Sequence, residues 1–142
     1  MPETPIHRGP SIIAQVPLLI LALAVYNVAM LAGYDFNTTA GFMQVQLISG
    51  ATWIMGWNDA LLVGGLALLF VELMKSTRAG TTVTMEHVFS MIVFIAFLVE
   101  FLVVKGAGTN TFLMLGIMSL IDVMAGYAIS IAVARKEMNI TS

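Results

Sequence analysis

Long stretches without charge alternate along this chain with short polar junctions. Ser11 to Ala32 contains no charged residue, and further apolar stretches run from about Ala51 to Lys75, about Met85 to Lys105 and Asn110 to Ala134. Each is about 20 residues or longer, the length at which an α-helix rising about 1.5 Å per residue crosses a hydrocarbon layer of about 30 Å. Inside hydrocarbon every backbone N–H and C=O must be paired within the structure, so the pattern predicts helices. The uncharged runs lack the two-residue alternation of a membrane barrel. The expected fold is all-α: one four-helix transmembrane domain over residues 11–136, a Pro-containing tail over 1–10 and a second tail over 137–142. Pro17 falls in the first turns of the first span, where few N–H groups are lost to it.

The junction between the first two spans is the ambiguous one. Phe42-Met43-Gln44-Val45-Gln46-Leu47-Ile48 alternates apolar and polar positions, which suits a surface helix, a small strand or a re-entrant element at the outer face. Gly50, Gly56 and the pair Asn58-Asp59 each offer a break or a cap for the second span. A start near Ala51 is expected, with Trp53 and Trp57 as interfacial anchors. Arg8, Lys75, Arg78, Arg135 and Lys136 then lie on one side of the membrane and only Lys105 on the other, while Gly33 to Asn58 has no Lys or Arg. Positive residues favour the cytoplasmic side, so both termini are expected there.

Composition narrows the class. The chain is 59% hydrophobic and 10% charged, against about 25% charged in ordinary soluble domains, and its net charge is -2. No basic run with interleaved aromatics could follow a phosphate backbone, so nucleic-acid binding is excluded. The first apolar run exceeds the roughly 7–15 residues of a signal peptide core and is read as a retained span. Integral membrane location follows, in a bacterial inner membrane or an equivalent one. With no Cys there are no thiolate sites, and His7 and His87 are too few and too far apart to hold haem. The 11 Met residues read as flexible core filler. No catalytic constellation or phosphate loop is present, so neither enzymatic activity nor a resident cofactor or metal is expected.

The polar positions inside the spans carry what chemistry there is. Asp122 lies 12 residues from Asn110 and 12 from Ala134, near the midplane, with no Lys or Arg at its depth. Holding it charged and unpaired there would cost several kcal/mol, so it is either a neutral carboxylic acid tying helices together or an ion site matched from elsewhere. Ser119, Asp122, Gly126 and Ser130 share one face, a candidate packing seam, as is Gly65 on the second span. Glu72, counted from Lys75, lies near the inner interface, where it can snorkel. Glu100 lies in the outer half, within reach of Lys105 or of Tyr26 and Asn27 on the first span. Counted this way, Glu72, Asp122 and Glu100 form a staircase in depth, which Tyr26, Asn27 and Ser119 could link into a proton relay.

In size and number of spans the chain resembles small four-helix drug exporters. Those carry a membrane-embedded acid in their first helix, whereas Ser11 to Ala32 has none, so that family is not assigned. Short loops leave no soluble functional domain, and the leading expectation is an accessory or assembly subunit that binds other membrane proteins, or itself, through its helical faces. The alternative is an oligomeric channel or proton-coupled transporter using Asp122 with Glu100. A bound lipid, quinone or pigment in a groove between spans is a third possibility.

Overall fold

The computed structural model describes residues 15–76 and 83–141. In chain order the elements are α1 (Leu19–Leu31), the antiparallel strands β1 (Met43–Gln46) and β2 (Thr52–Met55), α2 (Trp57–Ser76), α3 (Val83–Val103), a 3-10 turn (Lys105–Ala107) and α4 (Asn110–Thr141). Helices α2, α3 and α4 are long and apolar enough to cross a membrane, and α1 is a shorter apolar helix.

Residues 11–14 of the expected first span lie outside the described residues. Pro17 does not sit within the helix: α1 begins two residues after it, with the Pro17 carbonyl accepting the Ile20 N–H at 3.2 Å. Proline has no N–H to give and disfavours helical geometry in the residue before it, so it marks the helix entry. At 13 residues α1 rises only about 20 Å. It ends on Gly33, whose φ of +88° permits the left-handed turn in which Gly33 N–H donates to Met30 O and Tyr34 N–H to Ala29 O.

The ambiguous junction is a β-hairpin, registered Met43 to Met55 and Val45 to Trp53. Its turn closes with Gly50 N–H on Leu47 O, Gly50 taking φ +85°. Residues 51–56 are therefore not helical, which corrects the start expected for the second span. The reason is a cap: Asp59 Oδ2 reaches back to the Gly56 N–H at 2.8 Å, while Gly56 O accepts the Ala60 N–H at 3.1 Å. A carboxylate three residues into a helix satisfies an otherwise orphaned donor and fixes the first turn at Trp57. The apolar run Thr52-Trp53-Ile54-Met55 is strand; hydropathy alone had merged it with the helix behind it. Trp53 and Trp57, both exposed, flank this cap.

Helix α4 is central. It packs most extensively on α3 and α2, and α1 lies against α2, α3 and α4 through smaller contacts. Thr109 caps it, its Oγ1 accepting the Phe112 N–H at 3.2 Å. The helix continues past Ala134 to Thr141, seven residues beyond the apolar stretch. The buried core gathers Leu19, Ala22 and Tyr26 of α1, Leu69 of α2, Phe97 of α3, and Phe112, Leu115 and Met118 of α4, together with Phe36. At Gly65 an added Cβ would come 2.9 Å from Leu115 Cδ2 and 3.1 Å from Met118 Sδ, so the missing side chain sets how closely α2 approaches α4.

Candidate functional site

Two of the three acids of the expected staircase, Glu72 and Asp122, share one depth, and Ser90 lies there with them. Because α2 begins at Trp57, Glu72 lies 15 residues in, about 22 Å along the helix. Asp122 lies 12 residues, about 18 Å, from the start of α4, and Ser90 lies 13 residues, about 20 Å, back from the end of α3. Measured from the hairpin end, the three positions agree within about one helical turn.

They meet in space as well. Glu72, Glu86, His87, Ser90, Asp122 and Gly126 border one small cleft of about 10 Å³, room for about one water. Glu72 is 3% exposed and Asp122 4%. Neither snorkels. Glu72 Oε2 accepts the Leu18 N–H at 3.2 Å, tying the entry of α1 to α2, and lies 4.0 Å from Lys75 Nζ. The Asp122 carboxyl borders the same cleft as Ser90, Glu86 and Glu72. Ser90 Oγ donates to Glu86 O at 3.0 Å. A hydroxyl has one proton and two lone pairs, so with that proton on Glu86 O it can accept a second from a carboxylic acid. Among the described residues His87 Nδ1 is buried with no hydrogen-bond partner; it would stand 3.2 Å from a Cβ at Gly126, and the His87 ring lies 5.9 Å from that of Tyr127. Among the described residues no group of three or more His, Asp or Glu is arranged to hold a metal ion.

Glu100 stands apart. Its Oε2 accepts the Asn27 Nδ2 donor at 3.2 Å, Asn27 also donates to Leu23 O, and Glu100 Oε1 is buried without a partner among the described residues. Tyr26, fully buried, does not join a relay to it by a hydrogen bond. Its hydroxyl donates to Gly106 O at 2.9 Å and pairs with Thr109 Oγ1 at 2.6 Å, and its ring stacks on Phe36 at 3.9 Å. Ser119 is buried at 1% exposure, and Ser130 bonds back to Gly126 O within its own helix. Counted from the hairpin end, Phe97 of α3 and Leu115 and Met118 of α4, all in the buried apolar core, lie between the level of Glu100 and that of the Glu72–Asp122 cleft.

The sequence places Asp122 and Glu72 at different depths and does not bring Glu86 or His87 to either of them. The signal that joins them was available in Glu86 and Ser90, four residues apart and hence on one helix face. What the sequence lacked was a common origin for depth, since Glu72 is counted from Lys75 and Asp122 from the ends of its own apolar stretch. The role of Thr109, which holds both the first turn of α4 and the Tyr26 hydroxyl, was not anticipated; a Thr directly before an apolar helix is the cue. No family profile matches the chain, and neither a curated protein nor a solved structure does.

Proposed function

We propose that this is a multi-pass membrane protein with both termini cytoplasmic, whose Glu72–Asp122 cleft binds and exchanges protons at the Lys75 end of the helices, as the coupling site of an oligomeric channel or proton-coupled transporter. One observation carries the reading: two carboxyl groups, each more than nine-tenths buried, share a cleft with Ser90, Glu86 and a His87 nitrogen that has no partner among the described residues. Burying an acid in hydrocarbon is costly, and ionisable residues inside membrane spans commonly mark ion and proton paths. Like charges in one cleft resist simultaneous ionisation, which makes a shared proton the natural occupant.

The accessory-subunit reading retains one specific support. The buried apolar residues Phe97, Leu115 and Met118 lie at levels between the cleft and the hairpin end, so a path through the membrane requires rearrangement or the face of another subunit. In that reading the acids are interhelical ties, and the apolar outer faces of α2, α3 and α4 dock on other membrane proteins in the bacterial inner membrane or an equivalent one.

Proton flux in proteoliposomes under an imposed potential separates the two. Asp122→Asn and Glu72→Gln should each lower flux at least tenfold while leaving the thermal unfolding midpoint within a few degrees. Background flux from the parent, together with co-purification of a stoichiometric membrane partner, would instead support the subunit reading.

A further inference from the structure

We propose that the groove between α1 and α2 is a binding site for an amine-bearing phospholipid, with an acyl chain laid over Gly64 and the headgroup ammonium against Asp35. Three cavities run end to end along this side of the protein. The first, about 300 Å³, lies between Leu21 and Val25 of α1 and Leu61, Gly64 and Leu68 of α2. Val25 and Leu61 also border the second, about 410 Å³, which ends at Tyr34, Phe36 and Trp57. Tyr34 and Trp57 in turn border the third, about 370 Å³, which is more polar and includes Asp35 and Thr38. From Leu68 to Trp57 the groove follows 11 residues of α2, about 16 Å. It is apolar along its length and polar only at the hairpin end, the profile of one amphiphile standing in one leaflet.

The adjacent glycines distinguish this groove from a packing seam. A Cβ on Gly65 meets Leu115 and Met118 across the α2–α4 contact, whereas a Cβ on Gly64 meets nothing within 4 Å. No contact among the described residues requires Gly64 to be small, and its bare backbone lines the groove. Within a bilayer any chain can fill an apolar groove, because lipid tails are as apolar as the helix faces, so selectivity must come from the headgroup. Asp35 is the only charged residue from Gly33 to Asn58. Its Oδ1 accepts the Asn37 N–H at 2.9 Å, which holds the carboxylate at the rim. That single negative charge favours an ammonium-bearing zwitterion and disfavours an anionic headgroup.

Native mass spectrometry of the full chain tests this, using mixed micelles holding equal amounts of phosphatidylethanolamine and phosphatidylglycerol with identical acyl chains. The parent should retain phosphatidylethanolamine roughly threefold more than phosphatidylglycerol, the scale of one surface charge pair. Asp35→Asn should abolish that preference, and Gly64→Leu should reduce retention of both lipids. Val25→Trp, at a residue 55% exposed that borders both apolar cavities, provides a second obstruction should the glycine variant misfold. Equal retention by the parent, a preference that survives Asp35→Asn, or undiminished lipid in the obstructed variants would each overturn the proposal. So would a second copy of the chain in place of lipid, released by Gly64→Leu.

Discussion

Replacing Tyr26 with Phe removes a single oxygen from the best-buried polar junction of the fold. The Tyr26 hydroxyl has one proton, and that proton goes to Gly106 O at 2.9 Å, so across the 2.6 Å contact Thr109 is the donor. Thr109 Oγ1 in turn accepts the Phe112 N–H. The result is a one-way chain from the first turn of α4, through α1, to the 3-10 turn after α3. Phe keeps the ring against Phe36 at 3.9 Å and against Phe112 at 4.8 Å, so the change isolates the hydrogen bonds. It deletes two of them and leaves a carbonyl and a hydroxyl unpaired. A net hydrogen bond is worth about 0.5–1.5 kcal/mol and a stranded buried group about 1–3, while ties inside membrane proteins average nearer 0.6. A loss of about 2 kcal/mol is expected, read from reversible unfolding in mixed micelles titrated with a denaturing detergent. Thr109→Val should cost about as much, because the α4 cap goes with it. The double variant should recover a coupling of about 1 kcal/mol. A Tyr26→Phe protein within about 0.5 kcal/mol of the parent, or a coupling of zero, would refute the proposed chain.

Other substitutions probe the remaining contacts. Gly65→Leu should destabilise by about 1–3 kcal/mol through overpacking against Leu115 and Met118, measured by the same unfolding titration. Phe112→Ala, at a fully buried ring that touches Tyr26, Phe97 and Phe101, should cost about 3–5 kcal/mol and lower the thermal midpoint strongly. Asn27→Leu should cost about 1–3 kcal/mol because it strands Glu100, whose Oε1 already lacks a partner among the described residues, and adding Glu100→Gln should recover most of that loss in a double-mutant cycle. Lys75→Met should change stability by less than about 0.5 kcal/mol, since its 4.0 Å approach to Glu72 is long and its side chain is one-third exposed.

Apolar runs of spanning length were sufficient to find α2, α3 and α4, because hydropathy over about 20 residues integrates over local detail. They failed where two elements of different type share one apolar run. Thr52–Met55 is as apolar as the helix after it, and only the Gly56–Asp59 cap separates them. The site was obscured by a different count: Lys75 as the inner end put Glu72 near a surface and the ends of the last apolar stretch put Asp122 at the midplane, whereas counts from Trp57 and Asn110, the ends that meet at the hairpin, bring the two to one level. Helix phase was the second unknown. Periodicity placed Ser119 and Asp122 on one face of α4, but nothing in one helix says which neighbour that face meets. The contact of Asn27 with Glu100 follows from similar depth on two spans, whereas the tie from Leu18 N–H to Glu72 uses a backbone group that no side-chain pattern reveals.

The shared carboxyl cleft is tested most directly by infrared difference spectroscopy of the protein in lipid nanodiscs during a pH change, with the parent compared to Asp122→Asn and Glu72→Gln. One cleft with coupled acids predicts a carboxyl band that disappears in Asp122→Asn and is shifted in Glu72→Gln. An Asp122 band unmoved by Glu72→Gln, or no titrating band that depends on either residue, would contradict it.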